Sequence, residues 1–278
     1  TTTSLGSNSE RDSTKDGTNN GATVSQTGKV GDAWNFDGTN DYVQLPTYNN
    51  FLHDGTGGSM SFWMYPTGMT SIHGNGDYIL DTQSSSAATG TGVSARVNSG
   101  GTVDFIATTS SNGWFVSQSS TTPSDNTWYH VTMTHGSNQV KIYVNGVLET
   151  TTAYTNPNTN SANYNMRIGE HASDPTSYGL FTGNLDQVLI YNDVLTLSEV
   201  QALYNSGSGD STPDTTGMIA HYDFEQTGST LETQVFSTTG DGGSAITGFK
   251  VYRSDSALSQ TELPNSSGSD SELTFTDN

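Results

Sequence analysis

The chain has 278 residues, no cysteine, and 28 Asp and Glu against 8 Lys and Arg, for a formal net charge of −20. That balance excludes a basic stripe for nucleic acid and direct docking on an anionic membrane, and the lack of cysteine excludes disulfides and thiol chemistry. No stretch reads as a signal peptide or a membrane-inserting span. The opening T-T-T suits a mature form or an excised piece, and the Ser/Thr/Asn/Gly-rich, low-charge composition points to an extracellular or cell-surface setting.

Residues 1–30 carry only weak strand signals, with turns expected in D-G-T-N-N-G at 16–21. G-D-A-W-N-F-D-G-T-N-D-Y-V-Q-L at 31–45 reads as a β-hairpin closed by an Asp-Gly turn, because Gly tolerates positive φ. Asp37 and Asp41 stand four residues apart around that turn. They either cap it through its own backbone or share a cation. S-M-S-F-W-M-Y-P at 59–66 is a strand with Met60, Phe62 and Met64 on one face and Ser61, Trp63 and Tyr65 on the other. Short strands follow at 77–81, 92–97, 101–107, 114–116 and 127–134. In T-W-Y-H-V-T-M-T at 127–134, Tyr129, Val131 and Met133 share one face, and His130 on the other reads as structural. The strands 139–144 and 147–150 meet at Asn145-Gly146, a two-residue hairpin turn. Strands at 164–169 and 185–191 flank a loop holding His171 beside Glu170. The one convincing helix spans 195–204, capped by Thr196 or Ser198, with Glu199 in its first turn.

About a dozen short strands with one late helix predict an all-β fold, a two-sheet antiparallel sandwich with a small β-rich C-terminal extension. The expected division is a domain at 1–205, a Ser/Gly/Asp/Thr linker at 206–217, and a tail at 218–278. M-I-A-H-Y-D-F-E at 218–225 is a good strand in that tail, which holds too few apolar residues to bury a core easily.

Five stretches in this order resemble the laminin-G-like, concanavalin A-like jelly-roll family across residues 16–205. They are G-D-A-W-N-F-D-G-T-N-D-Y-V at 31–43, S-F-W-M-Y at 61–65, W-Y-H-V-T-M-T at 128–134, V-K-I-Y-V-N-G at 140–146 and F-T-G-N-L-D-Q-V-L-I-Y-N-D-V-L-T-L-S-E-V at 181–200. The resemblance implies a jelly-roll sandwich and a role in carbohydrate binding or cell adhesion. It also implies a structural Ca²⁺ near the hairpin corner, held by Asp37 or Asp41 with Asp186. Gln187 stands where relatives often have a second acid, and it offers a carbonyl oxygen. The family opens with a strand like the one at 218–225, which here follows the domain. That strand is an orphaned remnant, an edge completed in cis, or an edge donated in trans to a head-to-tail polymer. A second resemblance, to a fibronectin type III domain, rests on D-G-G-S-A-I-T-G-F-K-V-Y-R at 241–253 and L-T-F-T-D-N at 273–278.

Sugar sites need aromatic platforms with planar polar neighbours. Trp114, Tyr154, Tyr164 and Tyr178, with Asn112, are the loop candidates, set against ordinary packing. The E-x-D-x-E pattern of retaining glycoside hydrolases is absent, and Asp223 and Glu225 are the nearest carboxylate pair on one strand. The sequence therefore reads as a non-enzymatic, calcium-supported adhesion or glycan-binding module, with glycans or cell-surface proteins as partners. A subunit of an extracellular filament or surface layer, assembled by strand exchange, is the alternative. A glycoside hydrolase-like enzyme comes third.

Overall fold

The computed structural model describes residues 15–47, 57–69, 73–82, 92–109, 113–155, 165–172 and 178–233, together with two strands in the tail. The chain forms two compact units, Asp12–Val235 and a second made of Thr1–Arg11 with Phe236–Asn278. The larger unit contains β1 (Gly17–Asn20), β2 (Thr23–Thr27), β3 (Asp32–Asp37), β4 (Tyr42–Thr47), β5 (Gly58–Pro66) and β6 (Asp77–Asp81). They are followed by β7 (Val93–Val97), β8 (Val103–Thr108), β9 (Trp114–Gln118), β10 (Tyr129–Gly136), β11 (Gln139–Val144) and β12 (Val147–Ala153). The rest are β13 (Asn165–Ile168), β14 (Gly179–Leu180), β15 (Thr182–Tyr191), α1 (Leu197–Tyr204), β16 (Met218–Tyr222) and β17 (Thr230–Leu231). In the second unit β18 (Tyr252–Ser256) pairs with β19 (Ser259–Glu262). The rest of the fibronectin-like stretches lies outside the described residues.

Two sheets face each other as a jelly-roll sandwich. One runs β17-β1-β4-β13-β6-β7-β8-β9 with β14 beside β6, and the other runs β12-β11-β10-β5-β15-β3-β2 with β16 beside β15. All of these pairings are antiparallel except β14 with β6. The period-two pattern decides the faces. Met60, Phe62, Met64, Val131 and Met133 enter the core between the sheets, while Ser61, Trp63, His130 and Thr132 turn outward. There Ser61 Oγ meets His130 Nε2 at 2.8 Å and Thr132 Oγ1 at 2.9 Å. The helix covers part of this outer face, burying Val200 and Leu203 against Tyr143, Leu189 and Tyr191. Thr196 caps α1 in a reciprocal box with Glu199, which satisfies the free amides of the first turn. Asn145 and Gly146 both take positive φ, 50° and 74°, as a two-residue turn between β11 and β12 requires.

Three expectations are corrected. The 31–45 stretch is not a hairpin: β3 and β4 lie in different sheets, and the Asp37-Gly38 corner carries the chain across the core. Trp34 and Phe36 thus meet Val43 and Leu45 across the core rather than beside them, within one apolar cluster. Residues 17–20, expected as turn, form β1 against β4.

The third correction concerns the tail. Residues 218–222 are strand β16, paired to Val188–Tyr191 of β15 in the same chain, and β17 pairs with β1. Ala220, Tyr222, Phe224 and Leu231 are fully buried, and Phe224 stands edge-on to Trp34 at 5.5 Å. The compact unit therefore runs to Val235 rather than ending near residue 205. The strand considered for donation to a neighbour has its edge pairing in cis.

Candidate functional site

The side chains expected to share a calcium ion do not converge. Asp37 is the register partner of Thr182, and Leu185 that of Trp34. Asp186 thus stands four positions from Asp37, about 13 Å along the strands. Asp37 Oδ1 accepts the amides of Thr39 and Asn40, at 2.7 and 3.4 Å. Asp41 Oδ2 accepts the Asp37 amide at 3.0 Å. Both carboxylates cap the corner through its own backbone. Gln187 Oε1 bonds His221 Nε2 at 2.6 Å, which ties β15 to β16. Burial holds the His221 imidazole neutral, its pKa lowered to about 4.

Asp186 has different surroundings. It sits at an irregularity in the β15–β5 register, followed by Gln187 at φ 48°. Its Oδ2 accepts the amides of Lys29 and Val30 at 2.7 and 2.9 Å. Its Oδ1 is buried without a hydrogen-bond partner. Burial raises its pKa to about 8. The Val30, Lys29 and Gln187 amides oppose the rise, and the Glu225 carboxylate adds to it. Glu225 lines the same turn. Its Oε1 accepts the Asp32 amide at 3.0 Å, and a Cβ at Gly31, whose φ is +66°, would lie 2.1 Å from that oxygen. Two carboxylates, one of them with an orphaned buried oxygen, line this glycine turn, and such oxygens suit a hard cation completed by carbonyls and water. Asp37, Asp41 and Gln187 stand elsewhere, with oxygens engaged by the corner amides and by His221. No group of three or more His, Cys, Asp or Glu side chains is placed to hold a metal among the described residues.

A polar network lies on the outer face of the β17-to-β9 sheet, where Tyr78, Asp81, Ser94, Asp104, Glu170 and His171 are themselves buried. Register places Tyr78, Arg96, Asp104 and Gln118 side by side across β6, β7, β8 and β9. Arg96 Nε and Nη2 donate to Asp104 Oδ2 at 3.4 and 3.3 Å. Asn98 and Gln118 donate to Asp104 Oδ1 at 2.7 and 3.1 Å. Burial pushes the Tyr78 hydroxyl upward, so it remains a neutral donor. In the next row Asp81 accepts from the Ser94 hydroxyl and from the Ala172 amide, with His171 Nδ1 3.8 Å away. Tyr178 stacks on His171 at 4.1 Å. Arg167 pairs with Glu170 and lies 4.5 Å over the Tyr42 ring. Burial raises the Glu170 carboxyl and the Arg167 guanidinium pulls it back.

At the far strand of this face Trp114, Val116 and Gln118 all point outward, the first two 44% and 41% exposed. Trp114 is the register partner of Thr108, whose buried Oγ1 has no hydrogen-bond partner. Of the aromatic candidates, Trp114 and Tyr178 thus share one sheet face. Tyr154 does not. It is a core residue whose hydroxyl donates to the Thr108 carbonyl at 2.6 Å and whose ring packs on Phe115. Tyr164 and Asn112 lie outside the described residues. Sequence reasoning missed the Arg96–Asp104 pair. Counting register outward from the N-S-G-G turn, with Val97 opposite Val103, would have found it.

Asp223 and Glu225, the carboxylates weighed for hydrolysis, are not a free pair. Asp223 Oδ1 accepts from Gln226 Nε2 at 2.8 Å and Glu225 from the Asp32 amide. Phe224 between them takes a left-handed φ of 61°.

A family model described as the concanavalin A-like lectin/glucanases superfamily matches residues 37–201, and the chain belongs to that superfamily. A search of curated proteins gives no match. Among solved structures, it is similar to the binding domain of Paraclostridial Mosquitocidal Protein 1. The TM-score is 0.54 at 17% identity, covering 73% of this chain and 48% of that one. It is also similar to the receptor binding domain of botulinum neurotoxin D, with TM-score 0.51 and 16% identity over 73% and 49% of the two chains. The receptor binding domain of the botulinum neurotoxin C/D mosaic serotype gives 0.50 and 15% over 73% and 47%. At these identities the likeness is one of fold. The chain spans about half the length of each. No helix among the described residues is long and apolar enough to cross a membrane.

Proposed function

We propose that this protein is an extracellular glycan-binding module, without catalytic activity of its own, that holds its ligand on the outer face of β6–β9. The observation that carries the reading is Trp114. It is an exposed indole on the same outer sheet face as a row of planar groups (Gln118, Asp104 and Arg96) fixed by hydrogen bonds, which lies four positions, about 13 Å, along the strands. One ring of an oligosaccharide stacks its C–H face on an aromatic surface, while a neighbouring sugar pairs its hydroxyls with the Gln118 amide and the Arg96 guanidinium, which the buried Asp104 already holds in place so that little further side-chain entropy is lost. A Trp114→Ala variant is expected to bind a hit from a glycan array about tenfold more weakly, roughly 1.4 kcal/mol. Its melting temperature should stay close to that of the parent, because a half-exposed side chain contributes little to the core. Silence of the parent protein on the array, or unchanged binding by the variant, would sink the reading.

We further propose that Asp186 and Glu225 hold a structural Ca²⁺. The ion would supply positive charge to two carboxylates that otherwise repel, locking the Gly28–Gly31 turn to β15 and to the chain after β16. Titration of chelator-treated protein should release or absorb heat and raise the melting temperature by ligand linkage. Glu225→Gln should weaken the ion by about tenfold or more. Absence of both heat and thermal shift in the parent would reject the site.

A further inference from the structure

A cavity of about 330 Å³ lies between α1 and the segment 210–216, away from the sheet face described above. Its floor is apolar, formed by the buried Tyr191, Leu195 and Leu203, and its rim carries Ala202, Glu199, Asp210 and Asp214. The volume is at the small end of ligand-sized pockets. Each rim carboxylate has one oxygen committed. Asp210 Oδ1 accepts from Thr212, Asp214 Oδ1 from Thr216, and Glu199 Oε2 from Thr196. The three charges also act on one point in the cavity. The Tyr191 hydroxyl is raised first by burial and then by Asp214, Asp210 and Glu199, and it donates to the Asp214 carbonyl at 3.3 Å.

We infer that this cavity is a docking site for a lysine side chain of a partner polypeptide. A metal ion is the wrong occupant, because these carboxylates do not form a group placed to hold one and half of the lining is hydrocarbon. A lysine matches both halves: its methylene stem covers the Leu195–Leu203 floor and its ammonium reaches the rim. A chain-borne lysine fits better than a free amine. Leu197, 46% exposed on the adjoining turn of α1, offers apolar contact to flanking residues, and the net charge of −20 draws in basic chains over long range.

The test titrates the whole protein at low salt with acetyl-Gly-Lys-Gly-amide, following amide chemical shifts. The parallel probes are the neutral norleucine analogue and n-butylammonium. Saturable shifts clustered on Tyr191, Ala202, Thr212 and Thr216 are expected, with the norleucine peptide about tenfold weaker. Asp210→Asn and Asp214→Asn keep the oxygen that holds each turn and remove the charge. Each should weaken binding about two- to fivefold. Ala202→Trp, a substitution at an exposed helical position, should block it by filling the cavity. Scattered shifts, equal binding of the norleucine peptide or insensitivity to the Asn variants would reduce the effect to general attraction and overturn the site. Equal binding by n-butylammonium would overturn the polypeptide assignment.

Discussion

In calcium-free buffer the sandwich is expected to lose stability as pH rises from about 6.5 to about 8.5, by roughly 2 kcal/mol, and an Asp186→Asn variant is expected not to. Burial raises the Asp186 carboxyl to about 8 in the folded state, against about 3.9 in an unfolded chain. Between those values the folded protein binds the proton that the unfolded chain releases. Stability therefore falls as pH rises through this window and levels off above it. Asp223 and Glu225, also raised by burial, act in the same sense. Two histidines act the other way. Burial lowers His130 to about 3 and His221 to about 4. The unfolded chain then binds protons that the folded one refuses, and stability falls as pH drops below about 6.5. The expected profile is a maximum near neutrality, with an alkaline limb owed to Asp186. In the variant, the Asn oxygen still accepts the Lys29 and Val30 amides, so the turn survives while the limb disappears. Calcium should lift the same limb in the parent, because the ion favours the ionised carboxyl. Urea midpoints across the pH series measure this, and an identical alkaline slope in both proteins would refute it.

Ending the chain at residue 217 is expected to prevent cooperative folding of the sandwich. The cut removes β16 and β17, leaves the Val188–Tyr191 edge unpaired, and uncovers Trp34. Burying Tyr222, Phe224 and Leu231 is worth roughly 1.5–3 kcal/mol each, together comparable with the whole net stability of a domain, about 5–15 kcal/mol. Phe224→Ala alone should cost about 3–5 kcal/mol, since it opens a cavity beside the Trp34 ring. A chain ending at residue 235 keeps the complete unit and serves as the control. Near-ultraviolet circular dichroism and thermal melts decide the matter. A 1–217 chain that melts cooperatively at the parent's temperature would show that the C-terminal strand is dispensable.

Much of the local structure was legible. The alternation in 59–66 and 127–134 assigned the core faces of β5 and β10. Asn145-Gly146 marked its turn, and Thr196 with Glu199 marked the helix start. The candidate sites were legible only in pieces. Asp186 and Trp114 were singled out, but without Glu225, which lines the same turn as Asp186, and without the Arg96–Asp104 pair on the Trp114 sheet face. Asp37 and Asp41 look like ligands because carboxylates beside a tight turn are equally suited to binding a cation and to capping the turn's own amides. Tyr154 looks like a loop platform because its flanks are polar, yet its ring closes the core beside Phe115.

The amino-acid order by itself determined which side chains face a core, where the chain turns, and that the protein is an acidic β-sandwich. A two-residue period has that power because it is a property of one strand. The same period is compatible with the next strand lying alongside or across the core. The Asp37-Gly38 corner therefore could not be told from a hairpin until β3 and β4 were seen in opposite sheets. Only the tertiary structure decided that Asp186 and Glu225 line one glycine turn away from Asp37, that residues 218–222 complete the sandwich from within, and that Arg96, Asp104 and Gln118 align on the sheet face that also carries Trp114. Each of these depends on the register of several strand pairs at once, and local propensity does not encode that sum.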